Sequence, residues 1–319
     1  MYFKKAFQTI ILISACSFFI VFNAQANSEY TSEKIKIIEQ SYKSDIPTWL
    51  LIERGREAFE LGEYGLASRV FREVISREKV SPDAEMWLGI IFEQEGEYLL
   101  AEKQYLKVLE YKNQLYMNEE EFTILNRLSE IYEKTNEYGK YEKTLLTIIE
   151  KDEEYRDNFK ILYAMNDVLK ERGLDKLFEL YRFKKNKFNK ARTELGIFYY
   201  RTGRYSDAQI NLVVSIMSIL TTGFDYIYDK TYTYEYTDFE THIESMLDEP
   251  VLKEFIDSNN LFMTLYYLAA SLYAEGYLET SAELWEIISV YDEPGSTWRI
   301  RSERQLQAPF IEPIITHRS

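Results

Sequence analysis

The chain has 319 residues, with 38 Lys and Arg against 53 Asp and Glu, a formal net charge of −15. An acidic balance repels phosphate and argues against general nucleic-acid binding. One cysteine and two histidines, His242 and His317, exclude a disulfide framework and leave little for thiol or zinc chemistry.

Residues 1–26 place Lys4 and Lys5 before an apolar run and end in Ala24-Gln25-Ala26. That order is expected of a secretory signal segment cleaved before Asn27. Two alternatives stay open. Ile13-Ser14-Ala15-Cys16 resembles a lipobox, so the chain could be a lipoprotein anchored through Cys16, although apolar residues follow the cysteine. The segment could also remain as an uncleaved anchor. Membrane association is expected only in these two cases, and otherwise the protein is expected in the periplasm or cell envelope.

After a linker over 27–46, "GEYGLASRVF" at 62–71 is followed thirty-four residues later by "GEYLLAEKQY" at 96–105. The same grammar returns around Asn136, Gly173, Gly203 and Gly276. Eight of the twelve glycines, at 55, 62, 89, 96, 173, 196, 203 and 276, fall at two repeat places. Each copy reads as a helical hairpin. The first helix carries apolar residues at i, i+3, i+4 spacing, such as Leu88, Ile91 and Phe92. An internal Gly lets its partner approach, and a Gly or Asn ends it at positive φ. The second helix carries a small residue and a large one: Ala67 and Phe71, Ala101 and Tyr105, Ala208 and Leu212. One pair cannot bury its apolar faces alone, whereas stacked pairs can.

Residues 224–238, "FDYIYDKTYTYEYTD", alternate in period two. Phe224, Tyr226, Tyr228, Tyr232, Tyr234 and Tyr236 share one parity, which predicts a short β-hairpin with one aromatic face. That face either packs on the flank of the stack or offers a platform to a partner or glycan. Two short helices are expected near 239–248 and from Pro250. "EPGS" at 293–296 stops the last hairpin, "TWRIRSERQL" predicts a capping helix with a basic side, and 308–319 reads as an extended tail. The domain plan is therefore a repeat stack over 47–220, a tyrosine-rich insertion over 221–260, and a final hairpin with cap over 261–307.

At these residues the chain resembles the tetratricopeptide repeat (TPR) family. The resemblance covers most of residues 47–292 and is weakest over 159–184. It implies an all-α, right-handed solenoid of helical hairpins, without cofactor, acting as a protein-interaction scaffold or assembly adaptor. It further implies that first helices line a groove for a protein or peptide partner. The positions that would face such a groove are Ile52, Arg56, Met86, Ile90, Asn126, Glu130, Tyr163, Asp167, Lys190, Thr193, Tyr200, Arg201, Tyr266 and Tyr273. The Lys and Asn clamp used by chaperone-binding members has no counterpart at the matching places. Alternatives are a glycan- or small-ligand-binding carrier using the tyrosine-rich third, and a structural homo-oligomer.

No nucleotide-binding, zinc-protease or nucleophile-elbow motif is present in the sequence, and no catalytic or metal residues are expected. Basic residues crowd from Arg182 to Arg204, which predicts either a solvated face or a dock for an anionic segment.

Overall fold

A computed structural model describes residues 31–115, 117, 119–152, 159–183 and 187–315. The signal segment read at 1–26 lies outside the described residues. Among the described residues every regular element is helical. The chain divides into two compact units at Ile131/Tyr132.

In the first unit, helix α1 (31–41) occupies the stretch read as a linker. Its Ile38 is fully buried in a cluster with Leu51, Phe71 and Ile91. Helices α2 (Thr48–Glu60) and α3 (Tyr64–Glu78) form one hairpin, and α4 (Pro82–Gln94) and α5 (Tyr98–Glu110) the next. Arg77 on α3 holds the chain after α1 by donating to the carbonyls of Ile46 at 3.0 Å and Ser44 at 3.0 Å. Helix α6 (Glu120–Lys134) runs across the division between the units.

In the second unit, α7 (Tyr138–Ile149) packs on α9 (Asn189–Arg201). Helix α8 (Phe159–Leu180) breaks at Gly173, whose φ is 77°. The long α10 (Tyr205–Thr231) pairs with α9. Short α11 (Phe239–Leu247) and α12 (Pro250–Ser258) follow, then the hairpin of α13 (Leu261–Ala274) and α14 (Leu278–Tyr291), and last α15 (Thr297–Gln307).

The hairpin turn is built the same way each time. Gly62, Gly96, Asn136, Gly203 and Gly276 all have positive φ, between 58° and 91°. In each case the following N–H donates back to a carbonyl five residues earlier: Glu63 to Ala58 at 2.9 Å, Glu97 to Phe92 at 2.8 Å, Glu137 to Tyr132 at 2.8 Å, Arg204 to Tyr199 at 2.8 Å and Tyr277 to Leu272 at 3.0 Å. This is the left-handed helix stop, and it satisfies carbonyls that a helix end leaves open. Asn serves at 136 because its side chain tolerates this region better than other non-glycine residues.

Inside each hairpin a glycine meets a large side chain. A Cβ on Gly55 would lie 2.5 Å from the Phe71 ring, one on Gly89 2.4 Å from Tyr105, and one on Gly196 2.6 Å from Leu212. The first-helix glycine is therefore the slot that the second-helix residue fills. Tyr105 is fully buried there, and its hydroxyl donates to Glu93 at 2.8 Å, which also accepts from Arg127 at 3.0 Å.

From Ala208 to Gly223 helix α10 is buried or half-buried on every side, as a mostly apolar helix surrounded by protein is. It is long and apolar enough to cross a membrane, and 67% of its apolar window is buried within the fold. Three of its buried polar side chains bond neighbouring segments. Gln209 donates to the Ser271 carbonyl at 3.1 Å, Ser215 bonds Thr193 at 2.8 Å, and Thr221 Oγ1 accepts from the Phe183 N–H at 2.9 Å.

The β-hairpin expected at 224–236 is corrected. Phe224, Tyr226 and Tyr228 lie on α10, Tyr232 ends it in the left-handed region with φ 58°, and Tyr234 and Tyr236 stand on an extended strip. The period-two alternation is real in the sequence, but the apolar run before it propagates the helix through 231. The stacking of Phe224 on Tyr228 at 6.2 Å, one helical turn apart, serves the helix instead.

Replacing Gly89 with Ala gains helix propensity of about 1 kcal/mol. Against this it drives a methyl group into the buried, hydrogen-bonded Tyr105 ring, an overpacking cost of about 1–3 kcal/mol. We expect a net fall in Tm by calorimetry; an unchanged or raised Tm would remove the glycine slot from the explanation of the repeat.

Candidate functional site

In the second unit the first helices α9 and α13 lie side by side, and α15 packs beyond them. Their common face is aromatic. Tyr200 sits 5.5 Å from Tyr267, which sits 5.5 Å from Tyr266, and Trp298 of α15 lies 5.6 Å from both Tyr266 and Tyr267. The Arg301 guanidinium covers this group, 4.4 Å from the Tyr266 ring centre and 5.0 Å from Trp298. Such stacking holds the arginine in place without removing its charge.

Residues 308–315, read as part of an extended tail, lie along this face. Phe310 N–H donates to Gln305 Oε1 at 2.9 Å, and Gln305 Nε2 donates to the Phe310 carbonyl at 3.2 Å. Tyr273 Oη donates to the Pro309 carbonyl at 3.3 Å. Glu312 is the centre of the contact. Its Oε1 accepts from Tyr266 Oη at 2.7 Å and pairs with Arg301. Its N–H donates to Tyr200 Oη at 3.4 Å. The Ile315 N–H donates to the Arg201 carbonyl at 2.7 Å, and Ile314 lies over the turn at Gly203.

Electrostatics follow from this burial. Desolvation, reinforced by the Glu312 carboxylate, pushes the Tyr266 hydroxyl up to about 12. The Tyr200 hydroxyl is raised too, first by burial and then by Glu312. Both therefore stay protonated, Tyr266 as a donor to Glu312 and Tyr200 as an acceptor from its N–H. Burial works against the charge of Arg301, but its hydrogen bonds and charge contact with Glu312 outweigh it and raise its pKa.

Two recesses open beside Arg201 and Tyr267, and the first also touches the segment. One of about 300 Å³ is lined by Arg201, Tyr267, Arg301, Arg304 and Phe310. The other, about 280 Å³, is lined by Tyr138, Tyr141, Glu194, Phe198 and Tyr267.

Of the residues expected to face a groove, Tyr200, Arg201, Tyr266 and Tyr273 are brought together by this segment. Thr193 is turned into α10 by its bond to Ser215. Lys190 remains on the exposed side of α9, 3.7 Å from Glu194. Tyr163 and Asp167 are exposed on α8. In the first unit Ile52 is half-buried and Arg56 exposed on α2, with Arg56 5.6 Å from the Trp87 ring. Met86 and Ile90 are buried on α4, and Asn126 and Glu130 half-buried on α6.

The contributions of Tyr267, Trp298, Arg301, Gln305 and Glu312 were missed in the sequence. The cap read at "TWRIRSERQL" was a signal for Trp298, Arg301 and Gln305, and Tyr267 and Glu312 had none.

The aromatic residues of 224–236 divide in two. Tyr226, Tyr228 and Tyr232 are exposed. Tyr234 and Tyr236 pack around the buried His242, with Phe178 and Phe224 beside it. Tyr236 Oη donates to Asp175 at 2.6 Å, and Arg182 lies 3.8 Å from the Phe178 ring centre and 5.1 Å from that of Tyr236. This half of the cluster covers the flank of the fold.

Lys184 and Lys185 of the basic run lie outside the described residues, and three of its arginines have acidic partners. Arg192 pairs with Asp152 at 3.0 Å in the interior, Arg201 lies 3.7 Å from Glu133, and Arg204 reaches Glu142 at 2.6 Å and Asp207 at 3.0 Å. An acidic recess of about 690 Å³ lies against α11 and α14, with Asp175, Glu244, Glu283 and Glu286 on its wall. Asp175 and Glu244 accept hydrogen bonds from Tyr236 and Tyr291. Among the described residues no group of three or more His, Cys, Asp or Glu is placed to hold a metal ion.

His242 has a fixed tautomer. Leu220 O, at 3.0 Å, can only accept, so Nε2 carries the proton and Nδ1 accepts from Tyr234 Oη at 2.9 Å. Burial, with the nearby Arg182 charge adding to it, lowers its pKa from 6.5 to about 4. The unfolded chain thus takes up a proton more readily. The stabilisation is complete above pH 6.5 and is lost as pH falls towards 4, amounting to about 3 kcal/mol at about 1.4 kcal/mol per unit. Urea denaturation at pH 7 and pH 4 should show this extra loss in the parent relative to His242→Gln. Parallel pH dependence in the two proteins would contradict a buried neutral imidazole.

Comparison with known proteins adds the following. A family model described as tetratricopeptide repeat matches residues 52–116, which contain most of α2 and all of α3, α4 and α5. An uncharacterised protein of Treponema pallidum (strain Nichols) is 28% identical over 202 residues, covering 61% of this chain and 53% of its own length. An uncharacterised protein of Borreliella burgdorferi is 21% identical over 280 residues, covering 78% of this chain and 86% of its own. The chain thus spans about half the length of the first of these relatives and most of the second.

Proposed function

We propose that this chain, matched by a tetratricopeptide repeat family model over residues 52–116, is a non-enzymatic interaction scaffold. It would act as an assembly adaptor in the bacterial cell envelope, exported by the segment at 1–26. The observation that carries the reading is the common face of α9 and α13. There Tyr200, Tyr266, Tyr267 and Tyr273 form an aromatic surface whose hydroxyls hold a chain segment: Tyr273 donates to the Pro309 carbonyl, Tyr266 donates to the Glu312 carboxylate, and Tyr200 accepts from the Glu312 N–H. Tyrosine gives broad contact area with little entropy to lose, and a preformed surface lowers the cost of binding. The proposed location rests on the positive, apolar and small-residue order of residues 1–26.

Cross-linking in intact cells, with a photoreactive residue in place of Met263 beside this face, tests the reading. Specific protein adducts from the envelope fraction, and a mature chain beginning at Asn27, are expected. A cytoplasmic, full-length chain without adducts would contradict it. Recovery of a lipid-modified Cys16 would keep the scaffold and replace the soluble form by an anchored one.

A further inference from the structure

The segment 308–315 is held by polar contacts more than by burial. Phe310, Ile311 and Ile314 stay 50, 48 and 48% exposed, whereas the Glu312 side chain is 18% exposed. Apolar side chains that remain half in water contribute a fraction of what full burial gives. What fixes the segment is one carboxylate and a series of backbone hydrogen bonds. The receiving side is suited to this chemistry. Arg201, Arg301 and Arg304 gather around one recess in a chain of net charge −15. Tyr200, Tyr266 and Tyr273 supply hydroxyls that bond to the segment. Tyr266 and Tyr200 are also held by contacts outside the segment, Tyr266 by Tyr267, Trp298 and Gln305 and Tyr200 by Tyr205 and Tyr267.

We propose that the face of α9, α13 and α15 is a recognition site for an extended acidic segment of a partner protein. In this proposal residues 308–315 are its internal occupant and are displaced when the partner binds. The proposal rests on the scaffold reading and names its ligand. The recognised feature is an internal glutamate or aspartate reaching Arg301 and Tyr266, with flanking backbone carbonyl and N–H groups read by Tyr273, Gln305, Tyr200 and the Arg201 carbonyl. A bulky apolar residue two places before the acid would sit where Phe310 does, against the same recess. The internal occupant makes the site selective. A partner must outbid a segment tethered at high effective concentration, so weak acidic peptides are excluded.

The probe is a fluorescent, end-blocked peptide with the sequence APFIEPII, and the protein is the full chain. Glu312→Arg sets like charge against Arg301 and should free the face. Anisotropy titration should then show the peptide binding this variant at least tenfold more tightly than it binds the parent. A peptide carrying Gln in place of its Glu should bind at least tenfold more weakly. Glu312→Gln in the chain, a milder change, gives the same ordering if Glu312→Arg lowers the helical signal. Equal affinity for parent and variant, or equal binding of the Glu and Gln peptides, would overturn the proposal. A parent dimer that Glu312→Arg dissolves would also overturn it, since the segment would then serve a second copy of the chain. Envelope adducts recovered despite absent peptide binding would sink this inference alone; loss of both would sink the scaffold reading as well.

Discussion

The structure depends on one contact made repeatedly, that of a glycine in a first helix with a large side chain in the second. Gly55 receives Phe71, Gly89 receives Tyr105 and Gly196 receives Leu212, each so closely that a methyl group would not fit. The slot fixes where the helices cross. The left-handed residue seven places later fixes where the first helix stops and how the chain reverses. With both set, each hairpin presents one apolar side to the next, and burial between hairpins supplies stability that no hairpin has alone. Interiors packed this tightly transmit strain, so the contact also holds the outer faces of the first helices rigid.

That rigidity is what makes the face of α9 and α13 usable. Tyr266 cannot move far, being packed against Tyr267 and Trp298 and bonded to Gln305. Its hydroxyl is therefore aimed before anything binds. Donors set in advance cost little to use, and a hydrogen bond to a charged group contributes about 1.5–3 kcal/mol. Glu312 meets such a donor together with an arginine stacked on the same rings. The chain thus carries, in its own residues 308–315, a sample of what the face can hold.

The hairpins were legible in the sequence because their signal is local. Gly62, Gly96 and Asn136 mark backbone that few other residues accept, and Ala101 with Tyr105 marks a helix contact. The tyrosine alternation at 224–236 misled for an equally physical reason. Period two is a strand pattern when nothing else acts on it, but here a buried helix runs into it from Tyr205 and carries Phe224, Tyr226 and Tyr228 along. Tyr200, Arg201, Tyr266 and Tyr273 could be placed from their repeat positions. Arg301 and Glu312 could not, since their pairing joins a cap and a tail that no repeat relates. Within the charge run from Arg182 to Arg204, the partners of Arg192, Arg201 and Arg204 were likewise hidden, since Asp152, Glu133 and Glu142 are distant in the chain.

The account's central claim is that a preset tyrosine and arginine pair on this face holds an extended carboxylate. A double-mutant cycle with Tyr266→Phe and Glu312→Gln, read as unfolding free energy of the full chain, measures that contact most directly. Coupling of about 1–3 kcal/mol between the two positions is expected. Strictly additive effects would mean that Glu312 and Tyr266 do not meet in solution, and the account of the face would fall with them.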